Sequence, residues 1–373
     1  MKNKACKLFL LGGVSLLALA GCNKQGIDAT FSRKAGEEVV FGTVSRSMSR
    51  PGSKTVYSGV VTEGKERIDW KVNDQFRVYS NAAKHRYLNQ NWADYKIARA
   101  ESITASGAES IVTFGDIYNP GIVPITKNST GSENGLVWGE AGTYSFWGVY
   151  PVPAAVDAKG GEGVFACSIP TAQDADVDKN MGFAYMTAYQ QVSTTSENGA
   201  PVELAFEPAY TAFQFIIETQ DDPITLKNFT LTSDSKSLSG DYTVKYNGTA
   251  RTFEDANETA KKTITVDLGD QVISPATDSE AAKTVTFTVL AQPQTFNDLT
   301  ISFEVTVRDE TDVQNRILVL SKGGAGVEFG ALKKHILKGI AMPSDLWKIY
   351  YQPDILNVDK WEEIGTTTNV IVL

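Results

Sequence analysis

The chain has 373 residues with 35 basic and 44 acidic side chains, a formal net charge of −9 at pH 7. That balance makes it a poor partner for nucleic acid, which rewards clustered Lys and Arg, and about 350 mature residues are enough for two domains of ordinary size. Its three cysteines, Cys6, Cys22 and Cys167, offer no intramolecular disulfide once residues 1–21 are removed and Cys22 is modified, so apolar burial must hold the fold.

Residues 1–21 read as a lipoprotein signal peptide. Lys2, Lys4 and Lys7 precede an apolar run from Leu8 to Ala20, and no acid occurs before Asp28. The run falls short of the roughly 20 apolar residues of a membrane span, and its charged start marks a secretory signal. Leu19-Ala20-Gly21-Cys22 sets small residues before a thiol, as bacterial lipoprotein processing requires, so Cys22 is expected to carry lipid as the first mature residue. Several acyl chains anchor firmly where one binds marginally. Loss of residues 1–21 removes three lysines and no acid, which moves the net charge from −9 to −12.

After residue 36 two-residue alternation dominates. Strand-like runs occur at 39–44 (VVFGTV), 74–80, 143–151, 212–219, 228–233 and 262–268, with Gly, Asn, Asp, Ser and Pro clusters marking turns between them. Residues 45–54, Ser-Arg-Ser-Met-Ser-Arg-Pro-Gly-Ser-Lys, read as a solvated linker. Residues 86–100 are the one mild candidate for a helix. Residues 174–180 imitate the opening of a calcium loop, but Lys179 stands where the sharp turn needs glycine and Tyr185 where a bidentate glutamate is needed, so a solvated loop is expected. Farther on, Val285, Phe287 and Val289 share one face, as do Leu299, Ile301, Phe303, Val305 and Val307; two adjacent antiparallel strands are the economical reading. The glycine-rich stretch 323–330 lacks the Lys-Ser/Thr of a phosphate loop and reads as a hairpin turn. Many short strands with turns between them indicate an all-β protein built of β-sandwiches. A polar stretch at 194–203 divides an N-terminal domain (51–200) from a C-terminal one (201–373).

No catalytic constellation is apparent. His85 and His335 lie far apart without companion ligands and are expected at the surface or as caps, so no metal is assigned. Cys167 is solitary and no Gly-x-Ser-x-Gly elbow occurs, so no nucleophile is assigned and no cofactor is implied. Of six tryptophans, Trp70 and Trp147 sit inside strand-like runs and are expected in the core.

Several segments together resemble the fimbrillin family, the subunits of the type V pili of Gram-negative anaerobes. They are TVYSGVVTEGKERIDWKVNDQFRVYS (55–80), YSFWGVYP (144–151), MGFAYMTAY (181–189), LAFEPAYTAFQFII (204–217), FTLTSDSKSLSGDYTV (229–244) and LKKHILKGIAMP (332–343). The resemblance implies two tandem transthyretin-like, Greek-key β-sandwich domains and a non-enzymatic structural subunit. Such a subunit is exported as an outer-membrane lipoprotein, activated by an arginine-specific protease and polymerised with other subunits at the cell surface by donor-strand exchange. In these terms residues 22–50 hold the anchor, a sacrificial strand with Val39, Phe41 and Thr43 on one face, and the cleavage loop. Arg46 is the preferred cleavage site; Arg50 precedes a proline, and a cut at Arg33 would leave the strand in place. The tail 347–373 offers Ile355, Val358, Val370 and Val372 as donor-strand side chains, a feature that family tip subunits lack. The competing reading is a permanently anchored outer-membrane lipoprotein that captures glycans on exposed tryptophans.

Labelling cells with a palmitate analogue checks the anchor: the wild-type chain takes up label and Cys22→Ser does not.

Overall fold

The computed structural model describes residues 31–45, 56–62, 65–69, 74–100, 110–115, 135–153, 159–194, 198–199, 202–220, 222–256, 260–307, 313–321, 328–341, 348–352 and 362–363. Its regular structure is almost entirely strand, arranged as sandwiched sheets, in keeping with the all-β expectation.

Strands β1 (Phe41–Ser45), β2 (Gln75–Ser80), β3 (Trp92–Ala100), β4 (Ser110–Gly115), β5 (Thr143–Tyr150), β6 (Val164–Ile169) and β7 (Ala172–Asp174) are followed by one helical turn, α1 (Val177–Asn180). Then come β8 (Met186–Ser193), β9 (Val202–Glu203) and β10 (Glu207–Pro208). Eight of these strands form one sheet in the order β9-β1-β4-β3-β2-β5-β8-β10. Its two outermost strands, β9 and β10, are nearly consecutive in sequence, so residues 204–206 run from one end of the sheet to the other. Leu204 is fully buried there, and the Phe206 ring meets Phe76 edge-on at 5.3 Å. The ring lies close over Gly148, where an added Cβ would fall 2.6 Å from it and force it to shift.

The centre of this sheet is apolar on both faces. β2 and β5 bury successive residues instead of alternate ones, as strands do when both faces are covered. Phe76, Val78 and Phe146 face a cluster with Val39, Phe41, Tyr95, Trp138 and Tyr144. Tyr79, Trp147 and Val149 face a second cluster with Phe165, Tyr242 and Val244, and the Tyr79 and Phe165 rings lie 5.7 Å apart. A buried charge pair sits in this sheet. Arg77 opposes Asp94 in the β2–β3 register and meets it bidentately, Nε to Oδ1 at 2.6 Å and Nη2 to Oδ2 at 2.9 Å, with the Trp92 ring 4.1 Å from its guanidinium carbon. Burial pushes the Asp94 carboxyl above its ordinary value while the bonded guanidinium pulls it back.

The remainder of the chain adds β11 (Thr211–Thr219), β12 (Ile224–Ser233), β13 (Gly240–Asn247), β14 (Ala250–Asp255), β15 (Thr263–Ile273), β16 (Val285–Ala291), β17 (Asp298–Val307), β18 (Gln314–Ser321), β19 (Lys334–Ala341) and β20 (Lys348–Gln352). Sheets β7-β15-β12-β17-β18 and β16-β11-β19-β20 enclose a phenylalanine-rich core. Phe229 lies at its centre, 4.7 Å from Phe215, 4.8 Å from Phe287 and 5.2 Å from Phe303. The period-two burial of β12 and β17 follows directly from their sequence pattern. Two strands from the first half complete sheets of the second: β6 pairs antiparallel with β13 in the sheet β6-β13-β14, and β7 pairs parallel with β15.

Four expectations are corrected. β16 and β17 do not pair; they belong to opposite sheets, with Phe287 and Phe303 facing at 6.5 Å. The connection 292–297 crosses the sandwich, because the Gln292 side chain donates to the Ser239 carbonyl at 3.1 Å and buried Phe296 pairs with Phe329. Residues 92–100 are strand, since cross-strand pairing with 75–79 and burial of Ala93 and Tyr95 outweigh a mild helical pattern. Within 174–180 Asp176 caps the helical turn α1, and the Lys179 ammonium lies 2.9 Å from Asp174 Oδ2. Both histidines are buried: His85 Nδ1 accepts from the Tyr87 amide, and His335 lies between Phe213 and Phe329 with Nε2 2.9 Å from the Gly330 carbonyl.

Asp94→Ala leaves the Arg77 charge buried without its counter-ion, and denaturant unfolding should show a loss of about 3–5 kcal/mol.

Candidate functional site: the N-terminal strap

Residues 31–45 form a strap over the first core, tied along its whole length. Phe31–Ser32 pairs with Asn198–Gly199. The Arg33 guanidinium donates from Nη1 to the Ser193 carbonyl at 2.9 Å and lies 5.9 Å from the Trp138 ring centre. Residues 36–39 then pair with 136–138: the amides of Gly36 and Val39 donate to the carbonyls of Trp138 (2.7 Å) and Leu136 (2.9 Å), and the Trp138 amide returns a bond to Glu37. Finally β1 enters the large sheet, antiparallel to β4 along Gly42–Ser45 and parallel to β9 at Phe41 and Gly42.

The packing explains the hold. Val39 is 1% exposed and Phe41 4%, two residues apart and in one cluster, as the alternation requires. The Phe41 ring meets Tyr95 at 5.0 Å and Phe146 at 5.2 Å, both edge-on. Burial of these two side chains contributes about 3–6 kcal/mol in transfer terms. β1 is second from the end of its sheet, with the two-residue β9 outside it. Thr43 pairs through its backbone with Val112.

One strap residue works against its own seat. Glu38 is half-buried at the bridge to Val137, and burial pushes its carboxyl up to about 7 while Arg86 draws it back. Sequence reasoning found Val39 and Phe41 through their alternation. It missed the anchoring by Arg33 and the misfit of Glu38, because both depend on residues 136–138 and 193, which no local pattern connects to them.

Cys22, Arg46, Arg50, Ile355, Val358, Val370 and Val372 lie outside the described residues. The tail begins as part of the C-terminal sandwich: β20 pairs antiparallel with β19, and Glu362–Glu363 pairs with β20. Trp138 and Trp147 are buried, and the Trp92 ring is covered by Arg77. Among the described residues no group of three or more His, Cys, Asp or Glu is placed to hold a metal, and no helix is long and apolar enough to cross a membrane.

No family model and no curated protein matches the chain. Solved structures similar to it include a protein from Bacteroides ovatus provisionally described as a cell adhesion protein, 14% identical, covering 90% of this chain and 99% of its own with a TM-score of 0.49. One of the same description from Bacteroides uniformis is 11% identical, over 84% of this chain and 96% of its own, with a TM-score of 0.48. A C-terminally truncated tip fimbrial protein from Porphyromonas gingivalis is 8% identical, over 84% and 98%, with a TM-score of 0.38.

The Glu38 carboxyl gives strap seating a pH dependence. Below about pH 4.5 it is protonated whether the strap is seated or released; between about 4.5 and 7 only the released form loses its proton, so seating weakens as pH rises and then levels off. Exchange of the Val39 amide, which bonds to Leu136, should accelerate over that window relative to Glu38→Gln, in which the slope is absent.

Proposed function

We propose that the chain is a structural subunit of a cell-surface pilus. It is exported as an outer-membrane lipoprotein through Cys22 and polymerises by donor-strand exchange after its strap is removed. The carrying observation is the strap itself: an N-terminal segment seats Val39 and Phe41 in the first core and supplies backbone pairing to β4 and β9. Its departure opens a slot lined by Tyr95, Phe146 and Trp138 and leaves ladder groups unpaired, a state that demands another strand. An extended segment with apolar residues at alternate positions supplies both needs. Ile355, Val358, Val370 and Val372 of another copy or a related subunit are the side chains assigned to that role.

Cleavage is assigned to the bond after Arg46, by an arginine-specific protease. Pro51 disfavours the bond after Arg50. Arg33 suits a protease poorly, because its guanidinium is bonded to the Ser193 carbonyl and lies near Trp138, and a cut there would leave Val39 and Phe41 seated. The glycan-binding alternative gains nothing from Trp92, Trp138 and Trp147, whose rings are buried or covered. The protein passes from outer-membrane precursor to fimbrium, without catalysis or cofactor.

Mass spectrometry of the surface-assembled protein should find an N-terminus at Ser47, and Arg46→Ala should accumulate unpolymerised precursor. A fibre whose subunits begin at Cys22 would overturn the proposal. Deletion of residues 353–373 should yield a folded monomer that caps fibres without extending them.

A further inference from the structure

β16 is the outermost strand of its sheet, paired with β11 on one side only. Its sequence, Val-Thr-Phe-Thr-Val-Leu-Ala, contains no charge and no proline. Strand edges of this composition are the ones that pair with copies of themselves. The opposite side of β16 is closed by the segment that arrives from the first half of the chain. β7 lies on the edge of the facing sheet, parallel to β15. From there buried Gln173 reaches across the sandwich: its Oε1 accepts from the Leu290 amide at 2.9 Å, and its Nε2 donates to the Leu290 carbonyl at 2.7 Å and to the Pro170 carbonyl at 3.2 Å.

A carboxamide presents the same donor and acceptor as a peptide unit. Gln173 therefore stands in for one residue of a neighbouring strand. The next outward position is also taken, since the Gln292 amide donates to the Leu238 carbonyl at 2.9 Å. Helical turn α1 packs against β16, and Ala175 just before it packs on the core. By the alternation of an antiparallel pair, Thr286 and Thr288 turn their backbone groups to the same side as Leu290. Without the plug, residues 286–290 would offer a free edge of about 17 Å, the length of an ordinary strand.

We infer that Gln173 is an edge guard, which keeps β16 from pairing antiparallel with β16 of a second copy of the chain about a two-fold axis. The role is independent of the strap and of pilus assembly. Hydrogen exchange and sedimentation velocity of the full chain test it. In Gln173→Ala the Leu290 amide should exchange about tenfold faster or more, and a dimer should appear as concentration rises. Thr286→Lys added to that variant places a charge on the exposed position of β16 and should abolish the dimer while exchange at Leu290 stays fast. Gln173→Glu should behave like the alanine variant at neutral pH, because a buried carboxylate would set an oxygen with no hydrogen against the Leu290 and Pro170 carbonyls, a repulsion that expels the side chain and frees the Leu290 amide with it. It should return to wild-type exchange, compared at equal pH, once acid protonates it. Unchanged Leu290 exchange in Gln173→Ala, or fast exchange with a monomer at every concentration, would overturn the inference. If the alanine variant fails to fold, a Gln173→Glu protein identical to wild type at both pH values overturns it equally.

Discussion

Two neighbouring strands that are apolar on both faces impose the architecture. β2 and β5 bury Phe76, Val78 and Phe146 on one side and Tyr79, Trp147 and Val149 on the other, so their sheet needs two covers. A chain that supplied one would leave several large rings in water. The strap, with residues 136–138 and 204–206, makes one cover; β6, β13 and β14 make the other. The second cover joins strands from both halves of the sequence. Arg251 fixes it further, donating to Thr187 Oγ1 and to the carbonyls of Glu207 and Pro208, so β14 is tied to the edge of the large sheet.

The buried polar groups follow the same logic. Arg77 and Asp94 pair through two hydrogen bonds inside the sheet, with an indole over the guanidinium, and a lone member of the pair would be far costlier than the pair. His335 stays neutral, because burial between Phe213 and Phe329 pushes its pKa down to about 4. Its ring serves as an aromatic spacer, with Nε2 2.9 Å from the Gly330 carbonyl.

What could be read from sequence was local and periodic. Val285, Phe287 and Val289, and likewise Leu299, Ile301 and Phe303, do face a common core, because side-chain alternation is a property of the strand alone. Their assignment to one ribbon failed because partner choice is set by the connection, and residues 292–297 are held by Ser239 and Phe329, which lie far away in sequence. The continuous apolar run of β5 was recognisable as strand, while its double cover was not, since that depends on strands arriving from residues 36–45 and 240–255. The strap followed the same division. Val39 and Phe41 were legible as an apolar pair, whereas the clasp at Arg33 and the strained seat of Glu38 belong to tertiary neighbours.

The strap's partners also set a timetable. Arg33 bonds to a carbonyl 160 residues downstream, and Phe41 pairs with Val202. Contacts of such long sequence separation close slowly and late, because the intervening chain must first be ordered. A chain emerging N-terminus first therefore carries Val39 and Phe41 unseated until its whole first half has appeared. The interval before closure is the period in which a chaperone has an extended, apolar N-terminal segment to hold.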